Sequence, residues 1–250
     1  MAETARQKGE EPSKEALALA ALYIKRERAT ENAALRLMGQ SSFALVGDLS
    51  LRQPFDDQEG YAFADASGYR TIAARSTDLK SRLVTEFEAE RAKTREAIKK
   101  ALMAMGLFLF GQSAFRDRTA VAAKAKDALS AEAAANALKD AWAKAHASAM
   151  QNGSRRDFAL ARKLLKSKAS TAAVFEVGST FVDEMRRIQA VAAREGIDLV
   201  LTWSALLDSR TCGACKDRDG MVMTPNPNLK WPPLHANCRC TVIPKPARVH

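Results

Sequence analysis

The chain has 250 residues, of which 47% are hydrophobic and 27% are charged. This composition allows a buried core and excludes a wholly disordered or collagen-like protein. The 39 Lys and Arg residues outnumber the 29 Asp and Glu residues, for a formal net charge of +10. Such a charge favours acidic partners, such as nucleic acid or an anionic membrane surface, without selecting between them.

Residues 13–195 are rich in Ala, Leu, Lys, Arg and Glu, which have high helix propensity, so a mainly helical region is predicted there. Ser13 and Ser130 are predicted helix caps, and Gly39 and Gly196 are predicted helix ends. The predicted helices cover residues 14–38, 77–110, 113–129, 131–150, 155–167 and 171–195, with a largely looped segment at 39–76 and a turn at 151–154. The alternating charges from Glu86 to Glu96 predict a solvated helix face.

Two segments bear on membranes and secretion. Residues 1–16 are charged and contain no apolar stretch of the kind found in secretory signals, so we expect the protein in a cytoplasm. The longest uncharged stretch, Ala101–Phe115, has fifteen residues and contains Gly106 and Gly111. A membrane-spanning helix needs about 20 apolar residues, so this stretch predicts a buried helix or a partner contact and no membrane role.

The sequence changes character at Gly196. The segment 197–206 is rich in β-branched and aromatic residues and predicts a strand, while 217–223 predicts a tight turn followed by a short strand. The four prolines of segment 225–235 exclude a helix, and residues 241–243 predict another strand. We therefore predict two domains, a helical region over 1–195 and a small α+β module over 196–250, which is too small to sustain a core without a metal, a disulfide or docking.

All four cysteines lie in this last module, together with one of the three histidines. The pattern is Cys212-Gly-Ala-Cys215, nineteen further residues, and His235-Ala-Asn-Cys238-Arg-Cys240. A CxxC turn directs two thiolates at one ion, and an extended Cys238–Cys240 segment would place both of its thiols on one side. The pattern predicts a structural zinc ion, held by four thiolates or by three thiolates and His235. Disulfides and free thiols are the alternatives.

The same segment resembles the C-terminal signature of the phage head-morphogenesis proteins, the Mu F-like minor head proteins. In that signature a strand ending in Trp leads to Asp-x-Arg-Thr, a Cys or His pair, an Asp-Gly turn and a closing Pro-Pro-x-His-x-x-Cys-Arg-Cys. The matching positions are Trp203, Asp208, Arg210, Thr211, Cys212, Cys215, Asp219, Gly220, Pro232, Pro233, His235, Cys238, Arg239 and Cys240. The resemblance covers about forty residues and leaves the helical region unexplained.

The resemblance implies a low-copy virion protein that acts in head assembly at or near the portal vertex. Portal protein and other head proteins are the implied partners, with packaged double-stranded DNA as a further one. No catalytic residue and no small-molecule substrate are implied, so the protein is predicted not to be an enzyme. The implied location is the virion, and the host cytoplasm during assembly.

Two other hypotheses come from different features. The segment 155–168, in helical conformation, places basic residues opposite an apolar side. It predicts either a solvated face or a surface that binds DNA phosphates without base specificity. These residues are Arg155, Arg156, Arg162, Lys163 and Lys166. The third hypothesis is a metal-dependent hydrolase that uses Asp208, Asp217 or Asp219, although the Asp219-Gly220 turn already accounts for one of them. His146 has no neighbouring histidine or cysteine and is predicted to be a structural or surface residue.

Overall fold

The computed structural model describes residues 14–50, 58–104, 120–152, 157–197, 199–206, 209–223, 230–235 and 237–246. The elements in chain order are α1 (Lys14–Ser50), α2 (Gln58–Ala104), α3 (Ala120–Asn152), α4 (Asp157–Arg194), β1 (Leu199–Ser204), the short helix α5 (Gly213–Lys216) and β2 (Thr241–Pro246). The architecture is mainly helical with a small two-stranded sheet, which confirms the helical region and the strands of the predicted fold class. None of the helices in the described ranges combines the length and the apolar character that crossing a membrane requires.

The first two helices are longer than predicted. Helix α1 continues through Gly39, and α2 begins at Gln58 and passes Gly68, so the predicted stop at Gly39 and most of the predicted loop are wrong. A glycine inside a helix costs only about 1 kcal/mol relative to alanine. The buried side chains of Met38 and Leu45 continue the apolar stripe across Gly39, and their packing outweighs that cost.

The later helices are also continuous where breaks were predicted. Helix α3 passes through Ser130, which is buried and does not cap a second helix, and the described part of the predicted turn at 151–154 is helical. Helix α4 joins the two helices predicted on either side of residues 168–170. In α4 the buried residues Leu165, Ala169 and Ala172 continue the apolar stripe across residues 168–170, so tertiary burial overrides the local signal for a break there. Ser13 and most of the uncharged stretch, residues 105–115, lie outside the described residues.

The predicted end of α4 at Gly196 is confirmed. Gly196 has a φ of +68°, the left-handed conformation that glycine adopts without a steric penalty. The N–H of Ile197 donates to the carbonyl of Ala192 at 2.8 Å, and the N–H of Gly196 donates to the carbonyl of Ala193 at 3.3 Å. These two bonds form a Schellman motif, which ends the helix and directs the chain into β1.

The sheet of the C-terminal module is antiparallel. β1 pairs with β2 from Leu199 opposite Pro246 to Ser204 opposite Thr241. On the other side of β1, Thr202 forms an isolated antiparallel bridge with Val222, so among the described residues the short strand predicted after the Asp-Gly turn is reduced to one bridge. Trp203 lies in the middle strand of this arrangement and is buried.

The chain divides into two compact units. Unit 2 comprises residues 30–89 and 121–173 and is helical wherever it is described. Its core contains Trp142, whose indole N–H donates to the hydroxyl of Ser42 at 3.2 Å. His146 is buried in this unit against the ring of Tyr69, in an edge-to-face arrangement with ring centroids 5.6 Å apart.

Unit 1 comprises residues 1–29, 90–120 and 174–250, so the C-terminal module belongs to the same unit as three helical segments. Its core joins Tyr23 of α1, Phe181 of α4 and the strand residues Trp203 and Val242. The described part of the module therefore shares a core with helices and does not rely on its own side chains alone. The predicted domain boundary at residue 195 coincides with the end of the last long helix and stays a prediction.

Several charges of the predicted solvated face of α2 are buried in ion pairs. Glu90 pairs with Arg26 of α1, and Arg91 pairs with Glu176 of α4 at 2.5 Å. Arg95 lies 2.9 Å from the buried Glu184. The predicted solvation is therefore wrong for Glu90 and Arg91, because charged groups inside a core are retained when an opposite charge lies beside them.

Candidate metal centre

The Cys212–Cys215 turn is shaped by the short helix α5. Cys212 immediately precedes this helix, and its carbonyl accepts hydrogen bonds from the N–H groups of Cys215 at 3.1 Å and Lys216 at 3.0 Å. These bonds close one helical turn between the two cysteines. Gly213 and Ala214 are exposed on the outside of this turn, so the small residues of the CxxC motif make room for its tight path.

The Asp-Gly turn that follows attaches the CxxC segment to the sheet. Gly220 has a φ of +81°, and its N–H donates to the carbonyl of Trp203 at 2.9 Å. The carboxylate of Asp219 is buried and accepts a hydrogen bond from the N–H of Ala205 at 2.8 Å. Asp219 therefore has a structural role in fixing the turn against the end of β1.

The second half of the site follows a proline-rich turn. Arg186 of α4 lies over the ring of Trp231, 4.6 Å from its centroid, and the Pro232–Pro233 peptide bond is cis. The N–H of Cys238 then donates to the carbonyl of His235 at 3.1 Å. This bond closes a turn that brings the imidazole and the last two cysteines to the CxxC segment.

The structure brings all five predicted metal ligands together around Cys215; we call these five residues the Cys/His cluster. One group contains Cys212, Cys215 and His235, the other contains Cys215, Cys238 and Cys240, and within each group the donor atoms lie within 4.8 Å of one another. Nε2 of His235 lies 3.2 Å from Sγ of Cys212 and 3.4 Å from Sγ of Cys215. Sγ of Cys215 lies 3.7 Å from Sγ of Cys238.

One of these distances matches the separation of two ligands on a zinc ion. Two thiolate sulfurs at about 2.3 Å from a tetrahedral ion lie about 3.8 Å apart, close to the separation of Cys215 and Cys238. The donors are thiolates and an imidazole, a soft set that zinc prefers over magnesium or calcium. All four cysteines are free thiols, so none is consumed by a disulfide.

The pKa values of the cluster thiols are shifted in opposite directions. Burial raises the pKa of the Cys215 thiol to about 12. A hydrogen bond from Cys240 lowers the pKa of Cys238 to about 5, and the same interaction raises the pKa of Cys240. Without a metal, the protein therefore favours the thiolate form of Cys238 and the neutral thiol form of Cys215 and Cys240. A divalent cation at the centre would offset that preference for the neutral thiols, because thiols that coordinate a metal lose their protons.

Sequence reasoning missed one charged residue that contacts both halves of the site. Glu27 of α1 is buried, and its carboxylate accepts hydrogen bonds from Arg239 at 2.7 Å and from Arg210 at 3.1 Å. The only sequence signal was indirect. Alternation of side chains along the Cys238–Cys240 segment directs Arg239 away from the thiols, and an arginine that is buried there requires an acidic partner.

The other candidate residues are not assembled into a second site among the described side chains. Asp208, Arg155 and Arg156 lie outside the described residues, and nothing is described of the side chains of Arg162 and Lys163. Of the remaining candidates, Lys166 and Asp217 are exposed and Asp219 is buried. The hydrolase hypothesis thus gains no support from the position of Asp219.

Comparison with known proteins bears on the C-terminal part of the chain. The family model of the Phage Mu protein F like proteins matches residues 140–243. Residues 140–243 are a Mu F-like region. The predicted resemblance to Mu F-like phage head proteins is thereby confirmed, and the matched range includes every residue of the Cys/His cluster. Searches of curated proteins and of solved structures each gave no significant match.

The match also extends beyond the forty residues of the signature. It begins at residue 140, near the middle of α3, and includes all of α4. A Mu F-like region is consistent with a structural phage head protein, as the sequence predicts. The helical residues that precede position 140 are outside the match.

Proposed function

We propose that this protein is a phage minor head protein that acts in head morphogenesis at or near the portal vertex. The observation that carries the proposal is the Mu F-like match over residues 140–243. Its partners are portal protein and other head proteins, and it resides in the virion after assembly in the host cytoplasm. It is a structural component and not an enzyme.

We further propose that the Cys/His cluster binds one structural zinc ion. The support is the soft donor set and the 3.7 Å separation of Sγ of Cys215 from Sγ of Cys238, which suits two ligands of one tetrahedral ion. The cluster offers five donors, more than the four that a tetrahedral zinc ion takes, and a shell filled by protein donors leaves no position for an activated water molecule. The ion would fix the CxxC turn to the segment that precedes β2.

Particle analysis tests the assembly role. An epitope-tagged chain should be found at few copies per purified particle and should copurify with portal protein from an infected lysate. A deletion strain complemented with the parent chain should form normal heads, whereas the uncomplemented strain should not. Absence of the protein from particles, together with a normal head yield in the deletion strain, would contradict the proposal.

Elemental analysis tests the metal part separately. The reduced, purified chain should contain one zinc ion per molecule, and a Cys215→Ser variant prepared in parallel should contain none. Chelation should lower the thermal stability of the parent and leave that variant unchanged. Less than about 0.1 zinc per parent chain after purification in zinc-containing medium would exclude a tight structural site, because such sites retain their ions.

DNA contact is a second candidate function, favoured by the net charge of +10. The affinity for duplex DNA should fall with salt, with a logarithmic slope of about −0.9 for each neutralised phosphate. Replacing Lys163 and Lys166 by Gln should reduce that slope by about 2, whereas replacing the exposed Lys25 should not. A slope near zero in the parent would remove DNA from the proposed function.

A further inference from the structure

We infer that Glu27 is a positioning residue of the Cys/His cluster, holding both halves of the cluster through Arg210 and Arg239. The inference rests on the proposed zinc site. It concerns a residue of α1 that lies 183 positions from Arg210 and 212 positions from Arg239 along the chain. Neither the signature nor the family match includes Glu27.

The two arginines belong to different halves of the cluster. Arg210 precedes Cys212 by two residues, and Arg239 lies between Cys238 and Cys240. Oε1 of Glu27 accepts from Arg210 and Oε2 accepts from Arg239, so each oxygen of one carboxylate serves one half. The carboxylate therefore links two segments whose thiols must converge on the same ion.

The ion pair between Glu27 and Arg239 is buried. The side chains of Glu27 and Arg239 are 3% and 6% exposed, whereas that of Arg210 is 55% exposed. A buried charge pair with a direct contact of 2.7 Å has strong orientational preferences, because breaking it leaves an unpaired charge inside the protein. Arg239 is thereby fixed, and the two neighbouring cysteines are fixed with it.

Close packing of α4 against the segment that carries Cys238 supports the proposed role of Glu27. Gly178 of α4 lies next to the carbonyl of Cys238: a Cβ at this position would be 3.8 Å from that oxygen and 3.2 Å from the hydroxyl of Tyr23. Tyr23 lies one helical turn before Glu27 on α1, and its hydroxyl donates to the carbonyl of Val174. The face of α1 that carries Tyr23 and Glu27 thus packs beside the Cys238 backbone.

A positioning role changes metal affinity, whereas a purely structural ion pair changes stability alone. Residues that orient metal ligands from outside the coordination shell typically contribute about 10- to 100-fold in affinity. Glu90 provides a matched control, since it is also a buried carboxylate of unit 1 and pairs with Arg26 and Lys93. It has no hydrogen bond to a residue of the two segments that carry the cluster among its described partners.

The experiment compares the full-length parent, Glu27→Gln and Glu90→Gln under reducing conditions. Zn²⁺ affinity is measured by competition with a chromophoric chelator, and Co²⁺ absorption reports the geometry of the site. Thermal unfolding of each metal-free chain reports stability. We expect Glu27→Gln to weaken Zn²⁺ binding about 10-fold and to change the Co²⁺ spectrum, and Glu90→Gln to stay within about twofold of the parent despite a similar loss of stability.

A second variant covers the case in which Glu27→Gln does not fold. Arg210→Gln removes only the exposed half of the link, so it should fold and weaken Zn²⁺ binding by about two- to threefold. In the folded Glu27→Gln background it should have no further effect, because the interaction that it removes is already absent. The conservative Glu27→Asp variant keeps the negative charge, so we expect its Zn²⁺ affinity to lie between those of Glu27→Gln and the parent.

The outcomes separate the inference from the proposed zinc site. Equal Zn²⁺ affinities for the parent, Glu27→Gln and Arg210→Gln would overturn the positioning role and leave the zinc site standing. Equal weakening by Glu27→Gln and Glu90→Gln would also overturn it, since the effect would then follow global stability. A parent chain that binds neither Zn²⁺ nor Co²⁺ would overturn the zinc site itself.

Discussion

Sγ of Cys215 lies 3.7 Å from Sγ of Cys238, although the two residues are 23 positions apart. Cys215 also contacts the imidazole of His235, so it is the one donor shared by both groups of the Cys/His cluster. The remaining donors each belong to one group. This arrangement makes the cysteines unequal in their expected contributions to metal binding.

Cys215→Ser should therefore abolish zinc binding, whereas the loss of His235 should distinguish between the two ligand sets. If the four thiolates hold the ion, His235→Ala should keep one zinc per chain with a modest loss of affinity. If the imidazole is a ligand, His235→Ala should be as damaging as Cys212→Ser, and one of Cys238 and Cys240 should be dispensable. Zinc content and the thiolate-to-Co²⁺ charge-transfer intensity measure this. Full zinc retention in Cys215→Ser would contradict the shared position.

The cluster could be predicted because its information is local. The CxxC turn, the Asp219-Gly220 turn and the Cys238–Cys240 segment are each specified by a few consecutive residues, and only one connection of nineteen residues joins the halves. Successive side chains of an extended segment point to opposite sides, and this rule was sufficient to place Cys238 and Cys240 on the same side. The strand positions and the end of α4 at Gly196 were predictable for the same reason.

Helix continuity and buried charge could not be predicted in this way. Gly39 and Ser130 carry genuine local signals for a break, but each is worth only about 1 kcal/mol, less than the burial of one neighbouring leucine. The partner of Arg91 is Glu176, which is 85 residues away. Composition cannot distinguish a charge that meets such a partner from one that faces water.

The Arg91–Glu176 pair yields a stability prediction. Both side chains are almost fully buried, so Glu176→Gln leaves the charge of Arg91 without its carboxylate and should destabilise the protein by about 3–5 kcal/mol. Lys80→Gln removes an ion pair with Glu132 that is about half exposed, and it should cost under about 1 kcal/mol. Denaturant unfolding of both variants measures the difference. Equal losses in the free energy of unfolding would show that burial does not determine how much these ion pairs contribute to stability.

Glu184 predicts a pH dependence. Burial raises the pKa of Glu184 above its ordinary value of 4.5, against the opposing effects of Arg187 and Arg95 and with a smaller contribution from Asp183. The folded state therefore holds this proton more tightly than the unfolded state, and the associated stability is present below about pH 4.5 and lost as the pH rises through the folded pKa.

Glu184→Gln should remove the loss of stability that the parent shows as the pH rises, because glutamine resembles the neutral form of the acid. The free energy of unfolding of the variant minus that of the parent should increase as the pH rises from about 4.5 and then level off above the folded pKa. Urea unfolding at a series of pH values measures it. A difference that decreases with pH for Glu184→Gln would contradict the raised pKa.

Gly39 and Gly68 form a matched pair for the last prediction, since both lie inside long helices of unit 2. A Cβ at Gly39 would meet no atom within 4 Å, so Gly39→Ala should stabilise the protein by about 1 kcal/mol through helix propensity alone. A Cβ at Gly68 would overlap the imidazole of the buried His146, so Gly68→Ala must displace that ring from its contact with Tyr69 and should destabilise the protein by about 1–3 kcal/mol. Thermal unfolding should thus show a gain of stability for Gly39→Ala and a loss of stability for Gly68→Ala.

A His146→Ala background provides the control. In this background the loss of stability caused by Gly68→Ala should disappear, because the imidazole atoms that the new methyl group would meet are gone. A penalty that persists there would place its origin in the backbone of α2 and not in the packing against His146.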